Sequence, residues 1–330
     1  MTEIYHGRLE WTATALDPIH HGAGTEGNTQ ILRMQDVMLP DGSPARVPFI
    51  SGNSIKHMIR DGGVRFALEA MGVQAGTLSK AVVDLLFSGG ALTKSGAAVN
   101  LAHARDIATL FPILSVCGYA AGNFMQASKV RVEHMHLACA ENEWRVPTSA
   151  ASVPQLRIRA AAFRGEEFGT RHEPTREPRV FALLTEADRG ARLRQLTGDV
   201  QNGESEKSQQ MYYEFQTVAA GSVWFGGLTF DDLSIFELAA LRSALERAAD
   251  GTAGDGSIIY RIGAKGAIGY GRMSFRFDGG LRGTVSPPTY SSEEGIMPLG
   301  EKADIDAMAA YVKHLREKRD TILQSLEAIA

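Results

Sequence analysis

Lys56 and Arg60 stand four residues apart, just after the turn Ser51-Gly52-Asn53-Ser54. An extended stretch, Val47-Pro48-Phe49-Ile50, enters that turn, and Ile55, Met58 and Ile59 follow at helical spacing. Asn53 or Ser54 suits the N-cap position. Free N–H groups at a helix start favour an anion, and two cations in the first two turns add to that pull. The spacing therefore predicts a phosphate grip using Ser51, Gly52, Asn53, Ser54, Lys56, His57 and Arg60. An ordinary loop-to-helix turn fits the same residues equally well.

A second candidate is Gly263-Ala264-Lys265-Gly266-Ala267-Ile268-Gly269-Tyr270-Gly271-Arg272. Glycine accepts positive φ and lets main chain approach a ligand closely. Lys265 and Arg272 bracket the loop, Gly266 sits within it, and Tyr270 can stack on a base or ribose. The cluster precedes a strand, whereas a dinucleotide fingerprint follows one and opens a helix. No Lys-Ser/Thr follows the last glycine, so it is no P-loop. A tight turn without a ligand is the alternative.

His20 and His21 head a third cluster, His20-His21-Gly22-Ala23-Gly24. Either ring can serve as a general base, or line a groove. His134, His136 and Cys139 do not complete a zinc site, because no partner pair has the usual spacing. No metal and no cofactor is expected. Residues 156–194 carry nine Arg and no Lys against six acidic residues. Arginine contacts phosphate bidentately and stacks on bases, so Arg171, Arg176 and Arg179 join the candidates. A solvated charged loop explains them as well.

Local patterning predicts the elements that must position these residues. Residues 9–16 alternate as a half-buried strand, followed by a long loop over 17–41 with one hairpin. A helix starts near residue 53 and is interrupted or kinked at Gly62-Gly63. Residues 78–87 and 101–115 read as helices, and 129–138 as one strand with Val130, Val132, His134 and His136 on a common face. Residues 148–210 have weak periodicity and read as a projecting insertion, with a strand over 180–184 and a helix over 187–196. Two strands follow around Ala219-Ala220-Gly221. A helix capped by Asp232, a strand from Arg272 and a tail helix over 302–329 complete the chain. The order implies an α+β sheet with helices on one face.

The 330 residues allow a sizeable core, and the net charge is −4. That charge excludes a broadly basic, nonspecific nucleic-acid binder, but not a local groove. Cys117 and Cys139 read as free, buried thiols. The first residues lack the features of a signal peptide, and no apolar run approaches the ~18–20 residues that span a bilayer. A cytoplasmic chain with no membrane partner is expected.

Taken together, the first two segments resemble the RAMP superfamily of CRISPR-associated proteins. In it a Pro-x-Ile-Pro-Gly-Ser-Ser-Leu-Lys-Gly-x-x-Arg element lies near the N-terminus and a Gly-x-Gly-Arg loop near the C-terminus. Pro48, Ile50, Gly52, Ser54, Lys56 and Arg60 match the first, and Gly269, Gly271 and Arg272 the second. Ser51 stands where Pro is commoner, Asn53 replaces Ser, and His57 replaces a small residue. The likeness covers about two-thirds of the chain, excluding residues 148–210 and the last fifty. It implies a backbone subunit with a ferredoxin-like (RRM-like) palm over about 1–67, 116–147 and 211–283. It also implies helical fingers over about 68–115, an extended β thumb over about 148–210 and a C-terminal helix over about 300–330. The implied partners are the CRISPR guide RNA (crRNA), target DNA or RNA through guide pairing, further copies of the chain, and other effector subunits. The pattern is closest to type IV, with type I or III next.

Type III backbone subunits cut target RNA with an Asp in the loop after the first strand. The resemblance puts Asn28 at that position, in Gly27-Asn28-Thr29-Gln30-Ile31-Leu32-Arg33, and an amide cannot act as that carboxylate. Asp36 is out of register. A subunit that holds RNA without cutting is therefore expected. The alternatives are a guide-processing endoribonuclease using His20 or His21, a target-cleaving subunit, and an oligomeric scaffold without nucleic acid.

Overall fold

The computed structural model describes residues 4–92, 101–122, 124–171, 178–190, 211–282 and 301–330. The fold is α+β, with helices packed on a large antiparallel sheet. β1 (Tyr5–Ala15) buries Leu9, Trp11, Ala13 and Ala15 and turns Arg8, Glu10, Thr12 and Thr14 the other way. It pairs with β13 (Val223–Leu233) and β16 (Arg272–Arg282), which sets Trp11 between Gly226 and Phe277. Beyond β16 lie β15 (Ile258–Arg261) and β14 (Gly251–Thr252). Beyond β13 lie β10 (Met135–Leu137), β5 (Pro44–Ile50) and β4 (Met34–Met38). β9 (Val130–Val132) also pairs with β13.

α1 (Gly52–Ala70) and α6 (Ile235–Ala248) pack on each other and on this sheet. Ile55, Ile59 and Val64 of α1 are at most 2% exposed, and each such side chain contributes about 1.5–3 kcal/mol of transfer free energy. Gly62-Gly63 does not interrupt α1. A Cβ at Gly62 would lie 2.3 Å from the Ala244 carbonyl, and one at Gly63 2.5 Å from Ile113. The pair lets α6 and α4 (Pro112–Cys117) approach α1 closely, a packing reason that periodicity does not carry. α7 (Glu301–Glu317) and α8 (Arg319–Ile329) bury Tyr311, Leu315, Ile322 and Leu326 in the same core.

Several boundaries differ from expectation. Residues 17–41 hold three strands: β2 (Gly22–Glu26), β3 (Thr29–Leu32) and β4. The strand over 129–138 breaks at Glu133-His134 into β9 and β10, which resets the alternation. Val130 stays inside, and Met135 and Leu137 replace the histidines there. The N-caps are Ser51 and Ser234, the latter with a Glu237 capping box; Asp232 instead adopts φ 56°.

The stretch 148–163 does not project. It forms short 3-10 turns that bury Leu156 and Ala150 against Phe225 and carry Ala160 and Phe163 into the main core. β11 (Arg164–Arg171) then pairs with β12 (Met211–Val218), giving a second sheet of order β11-β12-β3-β2 in which β12 and β3 are parallel. The expected strand over 180–184 is instead a short helix, α5 (Pro178–Phe181). Residues 186–190 are helical, and the rest of that expected helix lies outside the described residues.

Residues 68–115 are mostly helical, with α2 (Lys80–Val83) and α3 (Leu101–Leu110). β6 (Gly90–Leu92), β7 (Tyr119–Gly122) and β8 (Phe124–Gln126) form a third, small sheet beside them. Cys117 and Cys139 are free and buried. Among the described residues no His/Cys/Asp/Glu cluster suits a metal, and no helix is long and apolar enough to cross a membrane.

Candidate nucleic-acid interface

Three segments far apart in sequence meet at one cleft of about 880 Å³. His20 and His21 form its floor, Asn53, Ser54 and His57 of α1 one wall, and Gly263 with its neighbours another. The β2–β3 hairpin closes a third side through Thr25 and Gln30.

The start of α1 is already occupied by protein groups. Ser51 N–H donates to His21 Nε2 at 3.1 Å, and Gly52 N–H to His134 Nδ1 at 2.9 Å. Ser54 N–H donates to the Ser51 hydroxyl at 3.3 Å. Three amides expected to hold an anion are thus capped by side chains. Gly52 is a packing residue: its Cβ would lie 2.5 Å from the Val132 carbonyl. His20 is 2% exposed and donates from Nδ1 to the Gln216 carbonyl at 2.7 Å.

Burial, followed by the positive charge of Arg33, pushes the His21 imidazole down to about 4 from 6.5. His136 is likewise lowered to about 4, first by burial and then by Arg145. Between those values the unfolded chain binds more protons than the folded one. Stability is therefore complete above about pH 6.5 and falls as pH drops towards 4. Urea midpoints measured from pH 7.5 to 4.5 should decrease across that window. His21→Gln keeps an acceptor without a titrating ring and should flatten the decrease; an unchanged slope would remove His21 from the account.

Lys56 and Arg60 do not face the cleft. Arg60 is 8% exposed, and its Nη2 donates to the Cys117 and Gly118 carbonyls at 3.0 and 2.6 Å. Its assignment as a phosphate contact is corrected: the guanidinium points inward and ties α1 to the end of α4. Lys56 is half-buried, and its ammonium is pushed below the usual lysine range by that burial. Among the described residues Lys56 has no carboxylate partner.

The glycine-rich loop folds against its own chain. Gly263 has φ 89°, and a Cβ there would lie 2.5 Å from the His20 carbonyl, which accepts Ala264 N–H at 2.8 Å. Gly271 has φ 89°, with the Ile262 carbonyl 2.3 Å from its Cβ position. Gly266 leaves room for the Arg261 side chain, which donates to its carbonyl at 3.0 Å. Arg272 is held bidentately by Asp17 at 2.7 and 3.0 Å, an ion pair that the sequence reading did not anticipate. Lys265 lies over the Phe215 and Tyr213 rings, 4.0 and 4.8 Å from their centroids. Tyr270 meets Phe215 edge-on at 5.3 Å. The result is an aromatic platform with one cation beside the cleft.

The fold is that of a chain in a solved Type IV-B CRISPR complex. The two share 15% identity with a TM-score of 0.53, over 92% of this chain and 99% of that one. Csc2 of Thermofilum pendens aligns more loosely, 14% identical over 98% of this chain and 81% of that one, with a TM-score of 0.36. No family model matches the chain, and no curated protein matches its sequence.

Asn28 and Arg179 are not among the residues that line the cleft. Asn28 is exposed at the tip of the β2–β3 hairpin, its carbonyl accepting Glu214 N–H at 3.2 Å. Arg171 ends β11 and Arg179 is exposed on α5; Arg176 lies outside the described residues. Asp17, Gln30, Tyr213, Phe215, Gln216 and Arg261 are among the participants that were not anticipated. Tyr213 and Phe215, two apart on a strand, are a legible signal for a shared face. Nothing local marks Asp17 or Gln216, whose partners lie far along the chain.

Proposed function

We propose that the chain is a repeating backbone subunit of a CRISPR effector complex. In this reading it binds guide RNA and presents it for pairing with target DNA or RNA, without cutting either. The observation that carries it is the meeting of His20 and His21, of Asn53, Ser54 and His57, and of Gly263 and Ala264 at one cleft, flanked by Lys265 on an aromatic platform. The likeness of fold to a chain of a Type IV-B CRISPR complex supports it. The large sheet with α1 and α6 is then a ferredoxin-like palm, residues 68–115 the fingers, and the thumb is what remains of 148–210 once the core-packed stretch 148–163 is set aside. Copies of the chain stack along the guide beside other effector subunits.

The noncleaving part rests on the resemblance, which puts Asn28 where a carboxylate would serve, and on two geometric facts. The nearby Asp36 lies on β4 against Arg46, at 3.4 Å. The Nε2 lone pair of His21 is taken by Ser51 N–H, and the His20 ring is buried and anchored.

Coexpression with a guide RNA tests the whole. Guide should copurify, come off at high salt, and survive incubation with divalent metal, as should a paired target. Protein free of RNA would favour the scaffold. Cleavage of repeat RNA that is lost in His20→Ala or His21→Ala would overturn the noncleaving reading.

A further inference from the structure

We propose that the cleft takes an uncharged part of the RNA, a ribose with its base, while the phosphates run along the rim beside Lys265. This rests on the RNA-binding reading and specifies what enters the site.

The lining decides between sugar or base and phosphate. Its charged residues are already neutralised. Arg261 pairs with Asp250 at 2.7 Å and donates to the Gly266 carbonyl, and Asp61 pairs with Arg65 at 2.7 Å. A phosphate at Arg261 would compete with the Asp250 carboxylate. The Ser51 and Gly52 N–H groups are spent on His21 and His134. No cation of the lining is left for an anion.

What remains is polar. Among the described residues, the side chains of Gln30, Asn53 and His57 line the cleft without a hydrogen-bond partner. An amide both donates and accepts, and so does a neutral imidazole. That set matches a 2′-hydroxyl and the edge of an unstacked base, which is how single-stranded RNA is read. Met58, Ala248 and Ile262 supply an apolar wall for the rings. Small-molecule sites run from about 300 to 1,000 Å³, so the cleft has room for a nucleoside. Lys265 adjoins the lining residue Ala264 and lies over the Phe215 ring, which puts its charge at the edge of the cleft rather than inside.

Guide binding measured by fluorescence anisotropy over a series of salt concentrations tests this. Asn53→Ala/His57→Ala removes about two hydrogen-bonding groups, so affinity should fall about tenfold. The slope of log K against log salt should stay unchanged, since no phosphate contact is lost. Lys265→Gln should instead reduce that slope. A 2′-deoxy oligonucleotide of the same sequence should bind the parent more weakly than RNA, and that difference should shrink in the double variant. The oligonucleotide comparison needs no altered protein, so a misfolded variant cannot produce it.

A reduced salt slope in Asn53→Ala/His57→Ala would make the cleft a phosphate site and overturn the proposal. Equal binding of RNA and its 2′-deoxy counterpart by the parent would overturn it too. A parent that binds no RNA at any salt would remove the RNA-binding reading itself, an outcome distinct from either of these.

Discussion

Gly271→Ala should lower the unfolding free energy by about 2–5 kcal/mol, and Gly263→Ala by a similar amount. Two penalties add at each position. Both have φ 89°, where an L side chain costs about 1–2 kcal/mol. Both also press on backbone: the new methyl would sit 2.3 Å from the Ile262 carbonyl or 2.5 Å from the His20 carbonyl. Backbone cannot rotate away as a side chain can, and overpacking of this kind typically costs about 1–3 kcal/mol. Gly269 separates the two terms. It has φ 94° with nothing within 4 Å of its Cβ position, so Gly269→Ala should show the conformational cost alone. Gly254 has neither problem, and its alanine variant should stay within about 0.5 kcal/mol. Urea unfolding of the four variants should give that ranking. If Gly271→Ala were as stable as the parent but lost RNA, the glycine would serve the ligand and not the fold.

Arg60→Met should cost about 2–4 kcal/mol of stability and leave the salt dependence of RNA binding unchanged. Methionine replaces the apolar stem but supplies no donor. The Cys117 and Gly118 carbonyls, at 3.0 and 2.6 Å from Nη2, would both lose their charged partner, and a buried unpaired acceptor costs about 1–3 kcal/mol. Nη1 of Arg60 is buried without a partner, so the guanidinium is incompletely satisfied and the cost falls short of two full bonds. Lys56→Gln is the contrast. It removes a half-buried ammonium with no carboxylate partner, so stability should change little. If Lys56 meets phosphate, the slope of log K against log salt should become shallower by about one contact. The reverse pattern, a stable Arg60→Met with weakened salt-dependent binding, would return Arg60 to the RNA.

These two experiments turn on a distinction that is invisible in one dimension. Lys56 and Arg60 share a helix face by their spacing, and a shared face was correctly legible. Whether that face looks at solvent or at α4 depends on how α1 is rotated against its neighbours. Gly62-Gly63 illustrates the same limit. As local chemistry the pair weakens a helix, yet α1 runs through it because α6 and α4 need the space a Cβ would fill. The break at Glu133-His134 was likewise hidden. Regular alternation continued through it on paper, but β9 and β10 pair with β13 in separate registers.

The sequence alone determined the alternating β1, the amphipathic helices, the α+β class and the two segments that carry the family likeness. Those features follow from φ/ψ preference and hydrophobic period, which act over a few residues. Only the tertiary structure decided what each polar group would bind. His21 and His134 took the amides of α1, Asp17 took Arg272, and the Cys117 and Gly118 carbonyls took Arg60. A cation or a free N–H is equally suited to a phosphate and to an acceptor of its own chain. The acceptor that folding brings within 3 Å wins, because leaving a polar group buried and unpaired costs more than the bond gains. By that rule Arg60 and Arg272 are engaged within the fold, while Lys265 lies over its aromatic platform beside the cleft.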